Sequence, residues 1–271
     1  MIIDFHTHAF PDHLAERALQ TLQDNSGGLP VHHDGSVGGL LDSMDRAGVE
    51  VSVIASIATR PGQFENILAW SKKIRGRRLI PFASLHPQCP DPAAAIGSIA
   101  AEGMPGVKLH ALYQEFFLDD RAVYPIYEEL QAHKLILLIH AGYDIAFPGN
   151  RQAEPRRILT LHRDFPRLKL VAAHLGGWSL WDEVLENLAG EDIYLEGSMA
   201  IDYCAPDTLQ AILNRHDERR VLFGSDAPWT DQSREVNSWQ TLGLPDRQLE
   251  KIFSLNAQAL LGSREEEDDA R

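Results

Sequence analysis

The chain has 271 residues, 44% hydrophobic and 24% charged, a composition that excludes a disordered, collagen-like or low-complexity protein. Its formal charge of −14 repels phosphate backbones and anionic bilayers, so neither nucleic acid nor a membrane surface is an expected partner. Two cysteines, Cys89 and Cys204, are too few for a disulfide framework. No apolar run approaches the roughly 18 residues of a membrane span. The opening Met-Ile-Ile-Asp-Phe-His has no signal-peptide pattern. These features predict a cytoplasmic enzyme acting on a small molecule. Twelve histidines are the compositional oddity, because metal binding and proton transfer both use imidazole.

Along the chain, short apolar runs begin near Ile2, Val51, Leu79, Pro105, Leu135, Leu168, Asp192 and Val221. Most are followed by a helical pattern, the rhythm of a βα repeat. Several are apolar on both faces, as strands buried between a core and covering helices should be. Helices are predicted over 39–47, where Leu40, Leu41 and Met44 form one stripe, and over 91–101, 121–133, 178–188 and 206–213. The last, 246–261, places Leu249, Ile252, Phe253 and Leu260 on one face. Eight such strands predict a (β/α)8 TIM barrel as a single domain over 1–262. The alternative, an open doubly wound sheet, would bring a Gly-rich dinucleotide turn, and the sequence shows none. Residues 9–35 and 141–151 read as long loops of the kind that shape binding sites. Residues 263–271, SREEEDDAR, read as a solvated acidic tail.

In a barrel, catalytic groups occupy the C-terminal ends of the strands. Here the first run ends Phe5-His6-Thr7-His8, the fourth Lys108-Leu109-His110, the fifth Ile139-His140, the sixth Ala173-His174 and the eighth Gly224-Ser225-Asp226. Residues two apart share a strand face, so His6 and His8 can hold one ion, and Lys108 and His110 point the same way. Each signal alone has a plainer reading: a lone strand-end histidine is often a packed one, and Asp226 before Ala-Pro could cap a helix. Packing does not explain polar residues at the ends of five strands.

Asp4-Phe5-His6-Thr7-His8, Val107-Lys108-Leu109-His110, Ile139-His140-Ala141-Gly142, Ala173-His174-Leu175-Gly176-Gly177 and Phe223-Gly224-Ser225-Asp226-Ala227-Pro228-Trp229 together resemble the amidohydrolase superfamily. More narrowly, they resemble its amidohydrolase-related branch, which includes aminocarboxymuconate semialdehyde decarboxylase. The resemblance implies a barrel holding a divalent metal, usually zinc, at its C-terminal rim. It implies His6, His8, His140 and Asp226 as ligands, with Asp226 also the general base and His174 an acid–base group. One ion is favoured. Two would draw Lys108, His110 or His174 into the ligand shell, with Lys108 carboxylated; unmodified, it is a cation suited to an anionic substrate. A homodimer is the family habit.

Imidazoles plus a carboxylate suit zinc with one position open for water. The expected activity is hydrolysis of a C–O or C–N bond in a small carboxylate-bearing molecule. Metal-assisted decarboxylation is the alternative, and a non-catalytic metal-binding barrel a weaker one. The two glycines after His174 depart from the His-Gly-Glu pattern of decarboxylase relatives and tilt the reading toward hydrolysis. Arg60, His86, Gln114, Tyr143 and Trp229 are candidate substrate-binding residues, with Tyr113 beside them. Asp144 and Phe147 join Tyr143 in a candidate lid. Glu196 and Ser198, at the end of the seventh run, are placed to hydrogen-bond the ligands.

Overall fold

All eight apolar runs are parallel strands in the computed structural model, which describes residues 1–262; the acidic tail expected at 263–271 lies outside the described residues. The strands are β1 Ile3–Thr7, β2 Val51–Ala55, β3 Leu79–Phe82, β4 Gly106–Leu109, β5 Ile136–Ile139, β6 Lys169–Ala172, β7 Tyr194–Glu196 and β8 Val221–Leu222. They pair in sequence order as two runs, β1-β2-β3 and β4 through β8. Two seams join the runs. At one, Ala83 just after β3 exchanges backbone hydrogen bonds with Gly106 and Lys108 of β4, at 3.0 and 2.9 Å. At the other, Phe5 N donates to Phe223 O and Asp226 N to His6 O, at 2.9 and 2.7 Å. The sheet thereby closes into a (β/α)8 barrel.

Alternation explains why these strands are apolar throughout. One set of side chains, including Ile3, Phe5, Val53, Phe82, Leu138, Val171 and Leu222, packs into a single interior plug. Phe5 meets Phe82 edge-on at 5.8 Å inside it. The other set, including Ile54, Val107, Leu137, Leu170 and Phe223, packs under the helices.

The helices are α1 Asp12–Asn25, α2 Val37–Ala47, α3 Phe64–Ile74, α4 Pro92–Ala101, α5 Tyr124–Ala132, α6 Pro155–Asp164, α7 Trp181–Asn187, α8 Ala200–Tyr203, α9 Pro206–Arg215, α10 Gln232–Gln240, α11 Asp246–Glu250 and α12 Asn256–Leu261. Ser36 and Asp91 cap α2 and α4, each accepting a backbone N–H at 2.9 Å. The expected final helix is interrupted by a π-helical turn over Lys251–Leu255.

Three corrections concern helices with thin apolar stripes. The stretch 9–35 is not a plain loop but contains α1, whose buried side chains are only Ala15 and Leu19. Helix α6 buries Ile158, Leu161 and His162 against a very polar remainder. Helix α10 turns Gln232, Glu235, Val236 and Trp239 inward, so its buried face is half polar and its period is masked. Among the described residues no helix is long and apolar enough to cross a membrane.

One irregularity positions the site. Along β1 and β2 the register runs Ile3 to Val51, Asp4 to Ser52, then Thr7 to Ile54. Three steps on β1 oppose two on β2, which is a β-bulge. Before it, Phe5 fills the plug and Asp4 reaches outward to Gln232 of α10 at 2.7 Å. After it, His6 turns into the barrel mouth.

Candidate functional site

Strict alternation would put His6 on the same face as Asp4, away from the interior. The bulge reverses this and brings His6 against groups from three other strands. Its Nδ1 is 2.8 Å from Glu196 Oε2 at the end of β7. Its Nε2 is 3.1 Å from Lys108 Nζ of β4 and 3.4 Å from Asp226 Oδ1 beyond β8. Lys108 donates to Nε2, so the His6 proton resides on Nδ1 and is donated to Glu196. The Nε2 lone pair is then the one that accepts from Lys108, and it is free for a metal only when the ammonium turns away. His8 Nε2 approaches the same Asp226 Oδ1 at 3.0 Å.

Asp226 has left-handed backbone geometry, φ 63°, and caps nothing; helix α10 is capped by Asp231 instead. Behind it, Asp4 accepts from Ser225 Oγ at 2.6 Å and Ser225 N at 3.0 Å. This strut, which the sequence reading passed over, ties β1 to the loop carrying Asp226. Burial pushes the Asp4 carboxyl up to about 6 despite these bonds.

The ligand atoms of His6, His8 and Asp226 lie within 4.8 Å of one another. Two ligands each ~2.0–2.2 Å from one ion stand roughly 3–3.5 Å apart, which matches the two Asp226 distances. The donor set, two imidazoles and a carboxylate, fits a divalent ion.

His140 does not stand in that trio. It joins a second group with His110 and Asp144, again within 4.8 Å. His110 Nε2 is 3.2 Å from Asp144 Oδ2, and the His110 and His140 rings stack at 4.2 Å, 12° from parallel. Near-parallel rings send their in-plane lone pairs side by side, not toward one point. The first trio is therefore the better cradle for a single ion.

His174 links the groups. It and Leu175 have φ 56° and 54°, unusual for side chains this large. Val171 of β6 and Ala173 just after it already point inward, and this left-handed turn lets His174 follow them. His174 Nε2 is 3.1 Å from His140 Nδ1, and its Nδ1 is 3.1 Å from Ser198 Oγ. His140 Nε2 is 2.8 Å from the Tyr143 carbonyl, and Ser198 Oγ is 2.9 Å from Glu196 Oε2. This chain, from the Glu196 carboxylate to the Tyr143 carbonyl, ends in acceptors on both sides. Ser198, His174 and His140, uncharged, bring one proton each to four links. An additional proton, which Glu196 can hold because burial lifts its carboxyl to about 8, completes the chain, or a cation taking the His140 Nε2 lone pair does.

Burial dominates the electrostatics. It holds His6 and His140 well below the ordinary histidine range, reinforced by Lys108 and His110 respectively, and lowers His174 to about 4. These imidazoles are neutral at pH 7. Burial brings Lys108 down to about 8 against the pull of Asp226, and lifts Glu196 to about 8 and Glu235 to about 9. Burial would raise Asp144 too, but the His110 hydrogen bond and charge more than reverse it.

The signs give a pH profile. The lowered histidines leave the unfolded chain binding more protons below pH ~6.5, so their contribution is lost as pH falls toward 4. The raised Glu196 and Glu235 contribute fully at low pH and lose that contribution as pH rises through about 8 to 9. Thermal unfolding of chelator-treated protein should therefore peak near pH ~6.5 and fall on both sides. A midpoint rising steadily from pH 4 to 8 would contradict these environments.

The remaining candidates are scattered. Gln114 is spent on structure: its Oε1 accepts from His110 N at 2.8 Å, and its Nε2 donates to the Ala58 and Leu85 carbonyls at 2.9 Å each. It fixes the β4 end and has no group left to donate to substrate. Arg60 is exposed. His86 is buried, its Nδ1 accepting from Gln88 N at 3.2 Å. Trp229 is half-buried beside Asp226. Tyr143 gives its carbonyl to His140, and its hydroxyl accepts from Arg151 at 3.2 Å. Phe147 packs edge-on against Tyr113 at 4.9 Å. The β5 loop is pinned by Gly142, φ 88°, where a Cβ would come within 2.2 Å of Trp178 N.

The chain matches the amidohydrolase family model over residues 3–263. No curated protein matches it significantly. Among solved structures it resembles an uncharacterized TIM-barrel protein, Bb4693 from Bordetella bronchiseptica, at 21% identity and TM-score 0.75, over 96% of this chain and 98% of that one. It also resembles 5-carboxyvanillate decarboxylase from Sphingomonas paucimobilis, at 17% identity and TM-score 0.68, with the same coverage. A third likeness, to a 2,6-dihydroxybenzoate decarboxylase complexed with 2,6-dihydroxybenzoate, has 17% identity and TM-score 0.70 over 96% and 98% of the two chains. At such identities these structures speak for the barrel alone, whereas the family model spans nearly every element that builds the rim. The chain belongs to the amidohydrolase family.

Proposed function

We propose that this protein is a metal-dependent hydrolase cleaving a C–O or C–N bond in a small carboxylate-bearing molecule. The observation that carries the reading is the approach of His6 Nε2 and His8 Nε2 to one oxygen of Asp226, at 3.4 and 3.0 Å. Zinc is the ion of choice for this donor set; manganese, which one 5-carboxyvanillate decarboxylase structure holds, is the other to test. His140 completes the shell if its ring turns its lone pair from the second group toward the first. A divalent ion here supplies a water of lowered pKa and a polarised substrate carbonyl.

The chain's own residues do the rest. The Asp226 carboxylate accepts the water's proton. His174, neutral and held by Ser198 at Nδ1 and by His140 at Nε2, hydrogen-bonds the oxygen or nitrogen that leaves by exchanging its His140 contact for the substrate. The Lys108 ammonium, wholly buried and 3.1 Å from His6 Nε2, is the countercharge for a substrate carboxylate.

Lys108 also favours a second reading, non-oxidative decarboxylation. The substrate carboxylate would leave as CO2 while Asp226, protonated, delivers the replacing proton to carbon. The decarboxylases among the similar structures support this reading.

Elemental analysis of purified protein should give about one metal atom per chain. The loaded protein is then incubated with aryl esters, lactones and anilides bearing a carboxylate, and separately with hydroxybenzoates. Acid release without CO2 supports hydrolysis, and CO2 release the second reading. No metal uptake after zinc or manganese is added back would overturn both.

A further inference from the structure

We infer that Glu196 and Ser198, at the end of β7, are positioning residues: one buried carboxylate sets the metal affinity of His6 and, through the Ser198 hydroxyl, the orientation of His174. The inference rests on the reading of His6 as a metal ligand.

Glu196 is fully buried, an expensive place for a carboxylate unless its oxygens are committed. Both are. Oε2 accepts from His6 Nδ1 at 2.8 Å and is 2.9 Å from Ser198 Oγ, while Oε1 accepts the Ser198 backbone N–H. Ser198 Oγ also stands 3.1 Å from His174 Nδ1.

The surroundings are cut to fit this carboxylate. A Cβ on Gly224 would come within 2.0 Å of Glu196 Oε1, so only glycine leaves room for it. A Cβ on Gly197 would meet the Trp239 ring at 2.3 Å. The backbone between Glu196 and Ser198 is thus clamped against α10. Met199 then turns the chain away with φ 59°.

A carboxylate on the far nitrogen of a ligating histidine fixes its tautomer and raises its basicity, and losing it typically costs about 10–100-fold in metal affinity. Sharing that oxygen with Ser198 extends the hold to His174. Ser198 Oγ also stands 3.3 Å from His6 Nδ1, but the Glu196 contact at 2.8 Å is the closer one, so the two residues act chiefly on different groups and can be separated.

The test is titration of chelator-stripped protein with zinc alone, read beside the 15N signals of the histidine rings. Glu196→Gln should weaken zinc binding about 10–100-fold. Glu196→Asp, one methylene short of His6, should not restore it. Gly224→Ala, which keeps the carboxylate but displaces it, should weaken binding in the same direction. Ser198→Ala should leave zinc affinity within about three-fold while moving the His174 ring signals. Wild-type affinity in both Glu196→Gln and Gly224→Ala, or unmoved His174 signals in Ser198→Ala, overturns the inference alone. Wild-type protein that takes up no zinc overturns the reading of His6 as a ligand and this inference with it.

Discussion

Asp226→Asn should lower kcat by about 10²–10⁴-fold, the range for losing a positioned general base, with the fold intact and much of the metal retained. Asparagine is the same size and tolerates the left-handed backbone found at φ 63°. Its amide can still approach His8 Nε2 and His6 Nε2, 3.0 and 3.4 Å away, but it cannot accept a proton. The loss should fall on kcat with KM little changed, because the base acts in the transition state. The check is steady-state kinetics on variant protein whose metal content and melting temperature have been measured. Near-normal turnover would exclude Asp226 as the base.

The second large effect is expected from removing both strand-1 imidazoles. His6→Ala with His8→Ala leaves Asp226 facing the ion space without its two nitrogen partners, and leaves the Glu196 carboxylate and Lys108 ammonium without His6 between them. Metal bound after reconstitution should fall to about a tenth of an atom per chain or less, since a single carboxylate does not hold a divalent ion tightly. Activity should fall with it. His174→Ala is the contrast: it should lose rate and keep metal. A double variant retaining both metal and activity would show that the site is elsewhere.

The barrel was legible because its signal is redundant: eight apolar runs each announce a strand, and Leu135 to Ile139 or Val51 to Ala55 admits little else. The helices were less so. Helix α10 faces inward with Gln232 and Glu235, which hydrophobic periodicity scores as surface. The rim residues could be named from strand ends, and the resemblance grouped His6 and His8 with Asp226, but the side-by-side placing of His140 with His110 and Asp144 had no sequence signal. That His6 turns inward follows from a bulge set by pairing with β2. That His174 does so follows from two left-handed residues. Sequence spacing encodes neither. Gln114 shows the converse: an amide at a strand-end loop looks like a substrate contact until three main-chain groups claim it. Asp144, a candidate lid residue by its loop position, is brought to His110 by a loop folding back on itself.

The seam between β8 and β1 has a mechanical meaning. The barrel wall is two leaves, β1 to β3 and β4 to β8, hinged along Ala83 and latched along Phe5, His6 and His8 by a few main-chain bonds. His6 and His8 belong to one leaf and Asp226 to the other, so an ion held among them would rivet the latch from the mouth side. The Asp4–Ser225 bond is a second pin across the same gap. The reagent for chemistry would then also be a fastener, and its departure would slacken the wall where the two leaves meet.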